Sequence, residues 1–129
     1  MPIIDHADVR LAPTMERVRE RYLVSKDQGA VSLTVKEVEI SPGYEGRMHT
    51  HPVEGSIQVL TGAIQAILGD EIRTVRAGTT LLAPPGLPHK LIHHLWTPAL
   101  LLITYPAADL ETEHLEKPPF SLAKITQTF

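Results

Sequence analysis

Between Val31 and Tyr105 the chain is cut into short runs rich in Val, Ile, Leu and Thr by Ser41-Pro42-Gly43, Thr61-Gly62, Gly69-Asp70, Ala77-Gly78 and Thr97-Pro98. Runs this short, bounded by such breakers, suit strands far better than helices of ordinary length. The expected strands are 31–40, 56–60, 63–68, 72–76, 79–83, 89–95 and 99–105. Upstream, the alternation of Val18, Glu20, Tyr22 and Val24 against Arg17, Arg19 and Arg21 predicts an edge strand over 19–25, in preference to a short helix capped by Thr14. Within 31–40 the apolar residues Val31, Leu33 and Val35 fall out of step with Val38 and Ile40, which predicts a bulge at Lys36 and Glu37. The Gly turns read as hairpin connections. Some eight to ten such strands, with both faces to cover, point to an all-β jelly-roll barrel. With 129 residues and 43% hydrophobic composition, the expectation is one domain over 1–129. Its barrel core spans about 19–106, with an N-terminal arm over 1–18 and a C-terminal tail over 107–129, where a short helix and an extended end are expected.

Against that scaffold the segment GYEGRMHTHPVEGSIQVLTG stands out, because His49 and His51 lie two residues apart next to a strand-like run. In an extended chain, residues i and i+2 project to the same face, so two imidazoles there can grip one metal ion. Two ligands make a weak site, and a third is required. The chain has no cysteine, so any metal must be held by nitrogen and oxygen, and disulfides and thiol nucleophiles are excluded. The net charge of −3 and the scattered twelve Lys and Arg offer no basic field for nucleic acid. No run reaches the length of a membrane span, and MPIIDHADVR lacks the features of a secretory leader. No membrane and no nucleic-acid partner, with a cytoplasmic location, are therefore expected.

Two ordered motifs make the chain resemble a small single-domain cupin of the cupin-2 type, an RmlC-like jelly roll or double-stranded β-helix. Gly43, His49, His51 and Gly62 match the first family motif, and Gly78, Pro84, Gly86 and His89 match the second. The resemblance implies that His49, His51 and His89 are the metal ligands. It implies one divalent transition metal per chain, Fe2+ favoured, with Mn2+, Ni2+ or Zn2+ as alternatives, a small-molecule substrate, and a homodimer formed through the edge near 17–25 or through the tail. Two positions depart from the pattern. Gly55 stands where the family has a glutamate, or in one subgroup a fourth histidine, and His93 replaces an asparagine. The nearest carboxylate, Glu54, is one residue out of register.

An open three-histidine centre is thus expected, able to take water, a chelating substrate or oxygen. Dioxygenase-like oxidation or C–C cleavage is the favoured reading. The alternatives are a non-redox isomerase or lyase and a non-catalytic small-ligand binder, while the plainest competitor is a barrel whose histidines are ordinary packed polar groups. Glu54 and Gln58 are the candidate catalytic residues. Tyr44 and Tyr105 read as packing at the barrel rim, His93 as a structural or ligand-supporting residue, and His6, His94 and His114 as surface. Trp96 is expected to pack. Val53, Ile57, Val59, Ile64, Leu81, Leu91, Leu101 and Ile103 are the inward candidates, giving an apolar cavity suited to a small organic ligand.

Overall fold

The short runs become eleven antiparallel strands in a computed structural model that describes residues 2–116. In chain order they are β1 (Ala12–Met15), β2 (Val18–Val24), β3 (Thr34–Ile40), β4 (His49–Thr50), β5 (Gly55–Thr61), β6 (Ala63–Leu68), β7 (Glu71–Arg76), β8 (Thr80–Ala83), β9 (His89–Ile92), β10 (Ala99–Tyr105) and β11 (Glu113–His114). They form two sheets, one in the order β1-β2-β3-β10-β5-β8 and the other β11-β4-β9-β6-β7. This is the jelly-roll sandwich that the sequence led us to expect. Val38, Ile40, Ile57, Val59 and Leu101 from the larger sheet bury against Ile64, Ala66, Val75 and Leu91 from the smaller one. Removing that apolar surface from water is what holds the two layers together. Among the described residues no helix is long and apolar enough to cross a membrane.

The Gly turns do two different jobs. Gly69-Asp70 closes a true hairpin, with Leu68 opposite Glu71. At Thr61-Gly62 and Ala77-Gly78, by contrast, the chain leaves one sheet for the other, so β5 and β6 are not partners, nor are β7 and β8. Gly62 has φ 78°, and a Cβ there would sit 2.6 Å from the Pro98 carbonyl oxygen. Only glycine fits that corner without displacement of the backbone.

Other expectations are corrected. The strand expected at 19–25 is β2, but it is not an edge, because β1 pairs along its outer side. Thr14 caps no helix; it lies in β1, and its hydroxyl donates to Glu20 Oε1 at 3.0 Å. No bulge occurs at Lys36 and Glu37, since β3 runs in unbroken register against β10 from Thr34 to Ile40. The irregularity is in β2 instead, between Tyr22 and Val24. The inward face of β3 is Thr34, Lys36, Val38 and Ile40, all buried, while Val31 is 88% exposed and precedes the strand. A buried lysine in the inward series is what mimicked a slip in the sequence. Trp96, expected to pack, is 93% exposed in the loop between β9 and β10. The tail over 107–129 is not all peripheral: residues 111–116 run back along β4. The Pro118-Pro119 part of that expectation lies outside the described residues.

Lys36 reaches Glu20 across the β2–β3 pair, Nζ to Oε2 at 3.2 Å, with side chains 4% and 0% exposed. Burial pushes the Lys36 ammonium below its usual pKa, against the pull of Glu20. Taking both charges out of water offsets much of their attraction, so the pair adds little net stability, but breaking it leaves a buried charge uncompensated. Lys36→Met should therefore cost about 3–5 kcal/mol, whereas Glu20→Gln combined with Lys36→Met should restore most of the loss. Urea unfolding of the two variants checks this, and equal stability losses would show that the pair is not a coupled unit.

Candidate metal centre

β4 and β9 are neighbours, and His49 sits directly opposite His89. Facing residues of an antiparallel pair place their side chains on one face of the sheet, so the third histidine arrives beside the first through sheet pairing. His51 follows β4 immediately and returns to the same face. Ring centroids are 4.7 Å apart for His49 and His51, 4.2 Å for His49 and His89, and 5.1 Å for His51 and His89. One nitrogen from each lies within 4.8 Å of the others, and all three residues are buried.

The proton on each ring can be placed by elimination. Nδ1 of His49 is 2.6 Å from the Arg47 carbonyl oxygen, Nδ1 of His51 is 2.7 Å from that of Glu111, and Nδ1 of His89 is 2.9 Å from that of Leu87. A carbonyl oxygen only accepts, so each Nδ1 donates, and each Nε2 of a neutral ring is left with its lone pair. His49 Nε2 is buried without a hydrogen-bond partner. An unsatisfied buried acceptor costs on the order of 1–3 kcal/mol, and a metal ion among the three nitrogens would satisfy it. Burial depresses all three imidazole pKa values, that of His49 to about 3, working against the stabilising carbonyl hydrogen bonds. The rings are held in the neutral form that coordinates metals.

The supports come from three separate segments. The Pro84-Pro85-Gly86-Leu87-Pro88 loop supplies the Leu87 carbonyl, and Gly86 N–H donates to the His51 carbonyl at 2.8 Å. The stretch after β10 supplies the Glu111 carbonyl, while β11 pairs with β4 and Leu115 N–H donates to the Met48 carbonyl at 2.8 Å. His114 lies across from His49, with ring centroids 6.1 Å apart and a buried Nδ1 that has no partner among the described residues. It is not the surface residue expected. His93 is fully buried; its Nε2 donates to the Thr97 carbonyl at 2.7 Å and so braces the loop before β10. His6 and His94 are exposed, as expected.

The other candidates separate. Glu54 is exposed but lines the inner pocket that reaches His51 and His89, together with Lys36, Gly55, Tyr105 and the apolar side chains of Val53, Ile57, Ala83, Ile103 and Leu110. Gly55 shares the inward face of β5 with Ile57 and Val59, and a Cβ there would meet nothing closer than 3.8 Å. Gln58 is corrected: on β5 between inward Ile57 and Val59 it points to the outer face of the sheet and is exposed. Lys36 and Glu20 were missed, because a charged residue at an inward position looks like a solvent-facing one until its partner strand is known. Tyr44 and Tyr105 both pack in the core, and burial raises the pKa of each; Tyr105 also lines the pocket.

The sequence over 36–105 matches the family model for the cupin domain. No curated protein matches it at a meaningful level. Among solved structures, the polyketide cyclase RemF from Streptomyces resistomycificus is similar over 92% of this chain and 88% of its own, with a TM-score of 0.78 and 23% identity. An RmlC-like cupin from Shewanella frigidimarina is similar over 81% and 89%, with a TM-score of 0.71 and 18% identity. Oxalate decarboxylase from Bacillus subtilis gives a TM-score of 0.69 and 20% identity over 84% of this chain, which spans only 31% of the decarboxylase. At these identities the likeness is one of fold.

Because the three imidazoles titrate lower in the folded chain than in the unfolded one, the unfolded state binds more protons as pH falls below the ordinary histidine value of about 6.5. Their contribution to stability is complete above that value and is lost progressively toward the depressed pKa values. Metal-free protein should therefore melt roughly 5 °C or more lower at pH 5 than at pH 7. Scanning calorimetry after chelator treatment measures it, and a flat profile would mean that the rings are not held neutral.

Proposed function

The chain belongs to the cupin family, and from that membership, with three buried imidazoles that each bring one nitrogen within 4.8 Å of the others, we propose that it is a metal-dependent enzyme acting on a small carbonyl-bearing organic molecule. The convergence of those nitrogens is the observation that carries the reading. His49, His51 and His89 are the proposed ligands of one divalent transition metal, Fe2+ first and Mn2+, Ni2+ or Zn2+ as alternatives. When bound, such an ion supplies a Lewis acid with open positions, because three neutral ligands leave its charge undiminished.

The chain's own groups define what happens around it. Val53, Ile57, Ala83, Ile103 and Leu110 keep water away from the guest, which strengthens every polar contact made there. Glu54 stands on the solvent side of the same pocket, placed to accept or return a proton at a carbon next to the polarised carbonyl. A carboxylate and an ammonium lining one pocket favour proton-transfer chemistry, so a non-redox reaction of the isomerase, lyase or cyclase type is the first reading. Dioxygenase-like oxidation or C–C cleavage is the second, favoured by the neutral nitrogen ligand set and its open positions. A homodimer and a cytoplasmic setting are the accompanying proposals.

Protein purified without an affinity tag should contain about one transition metal per chain. His51→Ala should lose most of it, and Gly55→Glu, which adds a carboxylate facing the pocket, should retain metal roughly tenfold better against a chelator. Unchanged metal content in His51→Ala would sink the assignment. For the reaction, a panel of 2-oxo acids and hydroxyketones in D2O distinguishes the readings: solvent deuterium exchange beside the carbonyl without oxygen is expected. Turnover only with oxygen uptake would instead make it an oxygenase, and neither would make it a binder.

A further inference from the structure

The pocket against His51 and His89 is narrow, about 20 Å³, room for little more than one water. Next to it lies a cleft of about 440 Å³ lined by Tyr22, Lys36, Tyr105, Asp109, Leu110 and Thr112 among others. The two spaces share three walls: Lys36, Tyr105 and Leu110. A guest that approaches the histidines from the cleft keeps its bulk there and sends only its tip past these residues. The polarity of the junction is set by the buried pair. Lys36 lines both spaces whereas Glu20 lines neither, so the positive end of the pair faces the guest and the negative end lies behind it.

Resting on the metal-dependent reading above, we propose that Lys36 is a substrate-binding residue that takes the oxyanion of a small organic acid or enol, whose body lies in the outer cleft and whose carbonyl tip reaches the three histidines. Glu20 is its positioning residue. The Tyr22 ring, with its centroid 5.4 Å from Nζ, helps to hold the ammonium in place. The other charged groups of the cleft do not compete. Lys26 and Asp109 pair with each other at 2.7 Å at the exposed mouth, where Asp27 also lies, and Glu54 is on the solvent side of the inner pocket. In a site shielded from water, a charge-assisted hydrogen bond from an ammonium to an oxyanion is about twice as strong as a neutral one. A buried ion pair that contributes little net stability then has a purpose, because a well-packed apolar pair would hold the strands as well.

The test compares two anions with a neutral ring of similar size: benzoate, the enolate of dimedone, and cyclohexanone. Each is titrated by NMR into wild type and into Glu20→Gln/Lys36→Met, the double variant that leaves no unpaired buried charge. Both proteins are used as purified and after chelator treatment, with metal content measured in parallel. At least one anion should bind wild type about tenfold or more tighter than cyclohexanone. In the double variant that preference should vanish while the cyclohexanone affinity holds. Benzoate alone showing it marks a carboxylate substrate, dimedone alone an enolate, and both an oxyanion of either kind. A preference that survives in the double variant, or no preference in wild type, including no binding at all, overturns the assignment. Because the preference is also read after chelator treatment, it tests Lys36 independently of the metal: the preference in wild type that holds no metal even as purified would count against the metal centre and leave Lys36 in place.

Discussion

Three imidazoles can be packed against one another inside a β-sandwich only if each has somewhere to put its N–H. In this protein all three give Nδ1 to a backbone carbonyl, those of Arg47, Leu87 and Glu111. Each such bond contributes roughly 1 kcal/mol net. Their larger effect is directional, since they fix the tautomer and aim three lone pairs at one point. The three carbonyls belong to the lead-in to β4, the proline loop before β9 and the stretch that returns along β4 after β10. Much of the architecture can be understood as bringing those segments together.

The strand plan was legible because it is written in local chemistry. β6 and β10 fall where Ala63–Leu68 and Ala99–Tyr105 were expected, since short, mostly aliphatic runs between breakers suit strands better than helices. The histidine trio was legible through the motif rather than through geometry. Spacing alone pairs His49 with His51, but nothing local in the sequence says that His89 will lie opposite His49, because sheet pairing is a property of the whole topology. For the same reason Thr61-Gly62 and Gly69-Asp70 look alike in the sequence and behave differently. One turns a corner between sheets and the other closes a hairpin, and only the partners of the flanking strands decide which.

The less legible part was polar and inward. Lys36 breaks the apolar alternation of β3, and the simplest repair was a bulge that moved it outward. The alternative, that it stays inside and meets a carboxylate from β2, requires knowing that Glu20 and Lys36 share a face. Gln58 erred in the opposite sense: a polar residue near a metal motif invited a functional role, although it lies between inward Ile57 and Val59 on β5 and points to solvent. His114 was hidden in a polar tail with no periodicity, yet pairing of β11 with β4 carries it to the edge of the histidine cluster.

The gap at Gly55 and the lysine at the cleft junction point the same way. A carboxylate at that inward position would place a negative charge beside the three nitrogens and cancel part of the charge of any ion held there. Glycine leaves the ligand set neutral and its own position open, with no atom within 3.8 Å of where a Cβ would stand. Lys36 then adds a positive charge to the same pocket and keeps its counter-charge behind it. In a space shielded from solvent these contributions reinforce one another. A guest carrying its own oxyanion supplies the charge that the chain has withheld, so the missing residue of the motif is a statement about the substrate as much as about the metal.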